Sequence, residues 1–208
     1  MPFSHRLTSK KQLAALAGEP SELVKQKTID RLDGHCRELI ARSPFVVIST
    51  ADASGNCDAS PRGDGPGFVH AVDDKRLVIP ERPGNKRMDT LYNLLENDRI
   101  GLLFLIPGFG ETLRINGRAA VITDRDLLEP CAVRGKVPAL GIGVEADECF
   151  IHCAKAMKRS GIWTPEKWPD VSDLPKAAVM LADHAGIGRG GSGALEERLE
   201  KGYRENLY

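Results

Sequence analysis

The stretch Thr112–Ile122 reads TLRINGRAAVI and alternates between apolar and polar side chains along its length. A period of two is typical of a β-strand that buries one face. The pattern predicts that one face enters a core, while the other meets solvent, a ligand or a partner. The predicted core face carries Leu113, Ile115, Gly117, Ala119 and Val121, and the other face carries Thr112, Arg114, Asn116 and Arg118.

Short β-rich runs separated by turn residues lie on both sides of this strand. The turn signals include Gly55 with its neighbours and the pair Asp73 and Asp74. Closely spaced short strands predict an antiparallel barrel or sandwich. The predicted strands are Phe45–Ala51, a run that ends at Ser60, Phe68–Val72, Leu77–Ile79, Ile100–Ile106 and Gly141–Cys153.

Helical periodicity occurs between and around these runs. Residues 21–42 are predicted to form one amphipathic helix with Ser21 as its N-cap, and Pro44 is expected to end it. Strands and helices do not alternate regularly, which favours an α+β fold over a doubly wound parallel sheet. The other predicted helices are Asn85–Asn97, a segment from Asp124, a short helix from Ala154 and the charged helix Ala194–Asn206.

A chain of 208 residues is long enough for one substantial core. We expect a main domain over residues 1–168, including the N-terminal helix. Residues 169–208 are predicted to be a loop-rich C-terminal extension with a helix that belongs to the same unit. Within it, the glycine-rich stretch Gly186–Gly193 is interpreted as a flexible linker.

The same glycines formally match the dinucleotide-binding pattern G-x-G-x-x-G through Gly186, Gly188 and Gly191. That motif requires a strand before the glycines and a further strand after the helix that follows them. The preceding residues, AAVMLADHA, look helical, and too little chain follows for a second strand. The linker interpretation is therefore favoured.

The balance of charge argues against a strongly charged partner. Lys and Arg number 29, and Asp and Glu also number 29, so no global field attracts nucleic acid or an anionic membrane. The N-terminus lacks the apolar core of a signal peptide. The longest apolar runs, such as Ile100–Pro107, fall far short of the roughly 18 residues of a membrane span. We expect a cytoplasmic protein that binds neither nucleic acid nor a membrane.

The five cysteines are scattered through apolar surroundings, which predicts reduced thiols. Cys149, His152 and Cys153 resemble a set of metal ligands. If they lie on a strand, however, the two cysteines are roughly 13 Å apart, too far to share a zinc ion. No metal site is predicted.

A basic cluster of Arg82, Asn85, Lys86 and Arg87 lies between the strand ending at Ile79 and the next predicted helix. Cations at a helix start oppose the helix dipole, at a cost of about 0.3 to 1 kcal/mol each. A bound anion would reverse this effect, because backbone N–H groups and cations would converge on it. The residues alone allow two interpretations of this cluster: it is an anion-binding site, or it is a set of solvated cations on a loop.

Other candidate residues have structural alternatives of the same kind. Arg62 lies in the glycine-rich segment SPRGDGPG, which is either a ligand-binding loop or an ordinary hairpin loop. Arg114 is either a ligand contact or a surface ion-pair residue. Lys155 and Arg159 share one helix face and repel each other unless a negative group lies opposite. Trp163 is either a core or interface residue or an aromatic contact for a cofactor.

Five segments occur in a characteristic order: SPRGDGPGF, LVIPERPGNKRMD, GLLFLIPG, ETLRINGRA and ECFIHCAKAMKRSGIW. Together they resemble the FMN-binding split β-barrel proteins related to pyridoxamine phosphate oxidase. The resemblance covers approximately residues 30–165. It implies a mainly β protein with helices, an α+β fold built on an antiparallel split β-barrel with flanking helices.

The resemblance also implies FMN as the cofactor. Its phosphate is expected at Asn85, Lys86 and Arg87, next to Arg82, and its flavin ring near the backbone of Pro80 and Glu81. Arg62, Thr112 and the nearby Arg114 are expected to complete the site. A homodimer is implied in which Lys155, Arg159 and Trp163 reach the partner's FMN.

The function implied is that of a flavin-dependent oxidoreductase that passes hydride through the flavin N5 and uses a small-molecule substrate or reductant. The tail GALEERLEKGYRENLY departs from the C-terminal segment of pyridoxamine phosphate oxidases, so pyridoxamine phosphate is not the expected substrate. The cofactor carries such chemistry, and no catalytic side chain is assigned. The alternatives are a protein that binds or stores FMN and a deazaflavin-dependent enzyme of the same fold.

Overall fold

The computed structural model describes residues 3–205 and 207–208. Its seven strands form one antiparallel sheet in the order β2-β1-β5-β6-β7-β4-β3. The described edge strands β2 and β3 do not pair with each other, so the sheet is not a closed barrel. The strands are β1 Phe45–Ala51, β2 Cys57–Gly63, β3 His70–Ala71, β4 Arg76–Pro80, β5 Arg99–Leu105, β6 Thr112–Ile122 and β7 Gly141–His152.

Helices flank the sheet, which confirms the predicted α+β class. They are α1 Lys10–Ala17, α2 Glu22–Gln26, α3 Gly34–Arg42, α4 Asp89–Glu96, α5 Arg125–Leu128, α6 Lys155–Ser160, α7 Ala177–His184 and α8 Ser192–Glu205. Short 3-10 turns occur at Glu129–Cys131, Pro165–Lys167 and Arg189–Gly191. The predicted last residue of the final helix, Asn206, lies outside the described residues.

The alternation along β6 sets the position of the core, as predicted. Leu113 and Ile115 are almost completely buried, whereas Arg114 is exposed. At Gly117 the pairing with β7 shifts register, and a side chain there would bring its Cβ within 2.0 Å of the Glu145 carbonyl oxygen. Glycine therefore permits the close approach of the two longest strands.

The single helix predicted over residues 21–42 is wrong, because the chain breaks between α2 and α3. Ile29 and Cys149 exchange two backbone hydrogen bonds of 3.0 and 2.7 Å, which ties the break to β7. Asp33 then caps α3 by accepting a hydrogen bond of 2.8 Å from the Cys36 N–H. Pairing with the sheet thus prevails over continuation of the helix.

The helix predicted from Asn85 also begins later than expected. Lys86 and Met88 have φ angles of 63° and 51°, which an α-helix cannot contain. Helix α4 starts at Asp89, so its first turn carries an acidic residue. Lys86 and Arg87 therefore lie in the preceding loop, and the predicted conflict between these cations and the helix dipole does not arise.

The extension contains the predicted helix before its glycines, because AAVMLADH forms α7 and Ala185 caps its end. The glycines lead through a 3-10 turn into α8, and no strand follows in the part of the chain described after them. The surroundings of a dinucleotide-binding turn are thus missing. In residues 3–205, no helix is long and apolar enough to cross a membrane.

Candidate functional site

A cavity of about 680 Å³ opens between β2, the end of β4 and the loop that leads into α4. Its volume lies within the range of small-molecule and cofactor pockets, about 300 to 1,000 Å³. Seven of the predicted site residues line it together: Arg62, Pro80, Glu81, Arg82, Asn85, Lys86 and Arg87.

Arg62 lies on β2 rather than in a loop, and its guanidinium is held by the protein itself. Its Nε donates to Glu81 Oε2 at 3.3 Å, and one terminal nitrogen donates to the Ser60 hydroxyl at 2.6 Å and to the Pro61 carbonyl at 3.0 Å. The side chains of Arg62 and Glu81 are only 15% and 24% exposed. The charge of Arg62 is thus already balanced at the cavity wall.

The charge of Arg82, which lines the same cavity, is also balanced by a carboxylate. Its Nε donates to Asp64 Oδ2 at 2.8 Å, and the Tyr208 hydroxyl donates to Asp64 Oδ1 at 2.6 Å. Burial of Asp64 acts to raise its pKa, but the hydrogen bonds from Tyr208 and the Gly65 N–H and the charge of Arg82 outweigh it, so the pKa is lowered. The bond to Asp64 also raises the pKa of Tyr208.

The loop before α4 presents the remaining cations at the cavity rim. Asn85 Oδ1 accepts a hydrogen bond of 3.0 Å from the Arg87 N–H, which shapes the loop. Arg87 Nε lies 2.5 Å from Asp89 Oδ2, and this hydrogen bond raises the pKa of Arg87. Lys86 has neither an ion pair nor a side-chain hydrogen bond to residues 3–205 or 207–208. It is therefore the cation most available to an anion.

Several cavity residues were not predicted, among them Asp58, Ser60, Asp89 and Thr90. The Thr90 hydroxyl donates to Asp58 Oδ2 at 2.6 Å and joins the start of α4 to β2. Had the strand pattern been continued past Ser60, its period of two would have placed Asp58 and Ser60 on the same face as Arg62. No comparable sequence signal marks Asp89 or Thr90.

The other predicted residues lie away from this cavity. Thr112 is buried at the start of β6, and the Arg114 guanidinium lies 5.4 Å from the centre of the Phe150 ring. Lys155 and Arg159 are exposed on α6. The Trp163 Nε1 is buried and finds no acceptor among the described residues. Within the part of the chain that the structure covers, none of these five predicted residues lines the cavity.

The cysteines and acidic residues of the described ranges form no group of three or more metal-ligating side chains. Cys149 is buried, and its pKa is raised by its hydrogen bond with Cys36 and by burial. Cys153 is exposed beyond the end of β7.

Comparison with known structures finds similar chains of low identity. HupZ of Group A Streptococcus is 20% identical, with 57% of this chain and 92% of that chain covered and a TM-score of 0.47. A putative pyridoxamine 5'-phosphate oxidase from Lactobacillus delbrueckii is also 20% identical (59% and 99% covered, TM-score 0.43). An FMN-binding protein from Syntrophomonas wolfei is 14% identical (55% and 86% covered, TM-score 0.40).

No functionally curated protein sequence matches the chain. The family model described as pyridoxamine 5'-phosphate oxidase matches residues 32–149, which is more than half of the chain. This matched range contains every strand from β1 to β6 and most of β7, together with the whole loop Asn85–Arg87. The chain therefore belongs to the pyridoxamine 5'-phosphate oxidase family.

Proposed function

We propose that this protein is a flavin-dependent oxidoreductase that binds FMN in the 680 Å³ cavity and acts on a small molecule other than pyridoxamine phosphate. The observation that supports this proposal is the Lys86 ammonium, which has no ion pair within residues 3–205 and 207–208 and lies at the rim of a cofactor-sized cavity in a member of this family. Arg87 follows Lys86 in the loop and is paired with Asp89. Arg87 would exchange this carboxylate for the phosphate.

The pattern of ion pairs fits one phosphate monoester at the loop. Three of the four cations that line the cavity have carboxylate partners, in the pairs Arg62–Glu81, Arg82–Asp64 and Arg87–Asp89. The Arg87 pair is the most exposed of the three, with side chains 79% and 43% exposed, and exposed pairs contribute little. A phosphate would therefore contact Lys86 and Arg87 more readily than the partly buried Arg62 or Arg82.

In this arrangement the chain's residues bind and orient the cofactor. Asn85, Lys86 and Arg87 would hold the phosphate, while Pro80 and Phe68 offer apolar surface to the flat ring. Arg62 keeps Glu81 as its partner and fixes the cavity wall. Once bound, FMN would supply hydride transfer through its N5 atom.

We further propose a homodimer, because the outer face of β1 and β5 carries incompletely covered apolar side chains. The register pairs Phe45 with Leu105 and Val47 with Leu103, and their sequence neighbours Val46 and Phe104 point into the core. A second subunit would cover this strip. Lys155, Arg159 and Trp163 would then act at the partner's flavin. Sedimentation of a monomer at micromolar concentration would contradict the dimer.

The proposed cofactor can be tested on the purified protein by its visible absorbance and by the thermal shift that FMN produces. We expect a flavin spectrum, or a raised Tm when FMN is added to the colourless protein. The reaction is then tested by anaerobic mixing with NADH or NADPH, which should bleach the flavin. A protein that binds a deazaflavin but not FMN would contradict the proposal. A bound flavin that no reductant reduces would contradict the oxidoreductase role and indicate a storage protein.

A further inference from the structure

A second cavity, of about 310 Å³, lies behind the wall formed by Glu81, Arg82 and Pro83. The same three residues line the larger cavity, so the two spaces share this wall. The volume is near the lower end of ligand pockets, about 300 Å³, which suits one or two fused rings. Most of the remaining lining is aliphatic: Val133, Val137, Pro138, Ala139 and Leu140.

Tyr208 gives this cavity an aromatic wall whose position is fixed by two contacts. Its hydroxyl donates to Asp64 at 2.6 Å, and the Arg134 guanidinium lies 5.0 Å from the ring centre. Asp64 is itself fixed, since its other oxygen accepts from Arg82. A flat ligand would therefore meet an aromatic surface that is already oriented, which favours stacking.

Among the described residues, one cation in the lining of the cavity has no ion pair, and Arg134, which lies against Tyr208 outside the lining, is a second cation without one. Three charged side chains line it: Glu81, Arg82 and Lys136. Glu81 is paired with Arg62 and Arg82 with Asp64, whereas Lys136 has no ion pair in residues 3–205 or 207–208. Lys136 is thus the free cation among the described lining residues, and together with the apolar walls it complements an apolar ligand with a single negative charge.

We propose that this second cavity binds a planar aromatic carboxylate. The ring of the ligand packs between Tyr208 and the aliphatic wall, and its carboxylate pairs with Lys136. This site goes beyond the proposed FMN site, because the two cavities share only Glu81, Arg82 and Pro83 in their linings.

The probe for the test is 2-naphthoate, titrated by calorimetry into the full chain without added flavin. The uncharged 2-naphthamide has the same ring system and isolates the contribution of the carboxylate. We expect naphthoate to bind about tenfold more tightly than naphthamide, as a charge-assisted contact provides. Lys136→Gln should remove this preference while leaving naphthamide binding unchanged.

Two further variants locate the ring of the probe. Ala139 is exposed and lines the cavity, so Ala139→Phe should fill the space and abolish binding. Ala132 is exposed nearby but is not among the lining residues, and Ala132→Phe is its matched control. The Tyr208→Phe variant keeps an aromatic ring for stacking, so it should bind naphthoate more tightly than the Tyr208→Ala variant does.

Three results would overturn the proposal. One is the absence of naphthoate binding at millimolar concentration. Another is equal binding by the wild-type protein and Ala139→Phe. The third is a carboxylate preference that disappears in Lys86→Ala and survives in Lys136→Gln, which would place the probe in the larger cavity. The outcome is also separate from that of the flavin experiments, because a protein that binds naphthoate but no flavin would retain this site.

Discussion

Replacement of Lys86 by alanine tests the proposed phosphate site most directly. A hydrogen bond to a charged group contributes about 1.5 to 3 kcal/mol, so Lys86→Ala should weaken FMN binding roughly 10- to 150-fold. Because Lys86 has no side-chain hydrogen bond or ion pair in the described parts of the chain, its replacement removes none from the protein without flavin. Its Tm should therefore stay the same while its FMN affinity falls.

Arg87 and Asp89 provide an internal comparison for this prediction. Arg87→Ala should weaken binding less than Lys86→Ala, since Arg87 has to leave Asp89 before it can bind phosphate. Asp89→Asn should have the opposite effect and strengthen FMN binding, because it frees Arg87 and removes a negative charge near the phosphate. The same change removes an acidic residue from the first turn of α4, which should cost about 0.3 to 1 kcal/mol of stability.

The assay is a titration of each flavin-free variant with FMN, followed by quenching of flavin fluorescence. Lys11→Ala is the control, because Lys11 is exposed on α1, a helix with no buried residue. Wild-type affinity in Lys86→Ala would refute the phosphate assignment and support the interpretation of solvated cations on a loop. An equal loss in Lys11→Ala would show that only net charge matters.

Three further predictions concern the scaffold. Gly117→Ala forces a Cβ against a β7 carbonyl oxygen, so it should lower the free energy of unfolding measured in urea by about 2 to 3 kcal/mol. Gly34→Ala is the control, because apart from its chain neighbours and its own helix backbone no described atom lies within 4 Å of its new Cβ, and it should not lower this free energy. Lys86→Gly should be more stable to urea than Lys86→Ala by about 1 kcal/mol, because the left-handed backbone strains alanine. Asp64 has a lowered pKa, so its stabilisation is present above about pH 4 and is lost as the pH falls through the folded value. Urea midpoints measured down to about pH 2 should therefore decline less steeply in Asp64→Asn.

The sequence predicted best those elements whose signal is local. Strand β6 has the bounds that alternation predicts, because a half-buried strand repeats every two residues, and β1 has the bounds predicted from its β-rich run and the turn residues that follow it. The break between α2 and α3 could not be predicted, because it depends on the pairing of Ile29 with Cys149, 120 positions away in the chain. The start of α4 was missed for a different reason, since Lys86 and Met88 adopt left-handed conformations that their residue types do not favour.

At the candidate site, residue type predicted the cations but not their partners. Arg62 and Glu81 are 19 positions apart and Arg82 and Asp64 are 18 apart, so only the folded chain shows that these charges are paired. This pairing distinguishes the four cations that line the cavity. Arg62 and Arg82 are wall residues with partly buried partners, Arg87 forms an exposed and exchangeable pair, and Lys86 has a free ammonium within the described residues.

The loop conformation supports the assignment of that free ammonium to a binding role. Two residues close together, Lys86 and Met88, hold left-handed backbone angles, each at a cost of about 1 to 2 kcal/mol for a non-glycine residue. A glycine at position 86 would avoid the cost there but would provide no charge. Strained backbone at a non-glycine residue motivates a hypothesis of function, and the proposed phosphate contact is the hypothesis for Lys86. Lys86→Gly tests both points at once. If this variant is more stable to urea than the wild-type protein and binds FMN more weakly, Lys86 is the source of both the backbone strain and the phosphate contact.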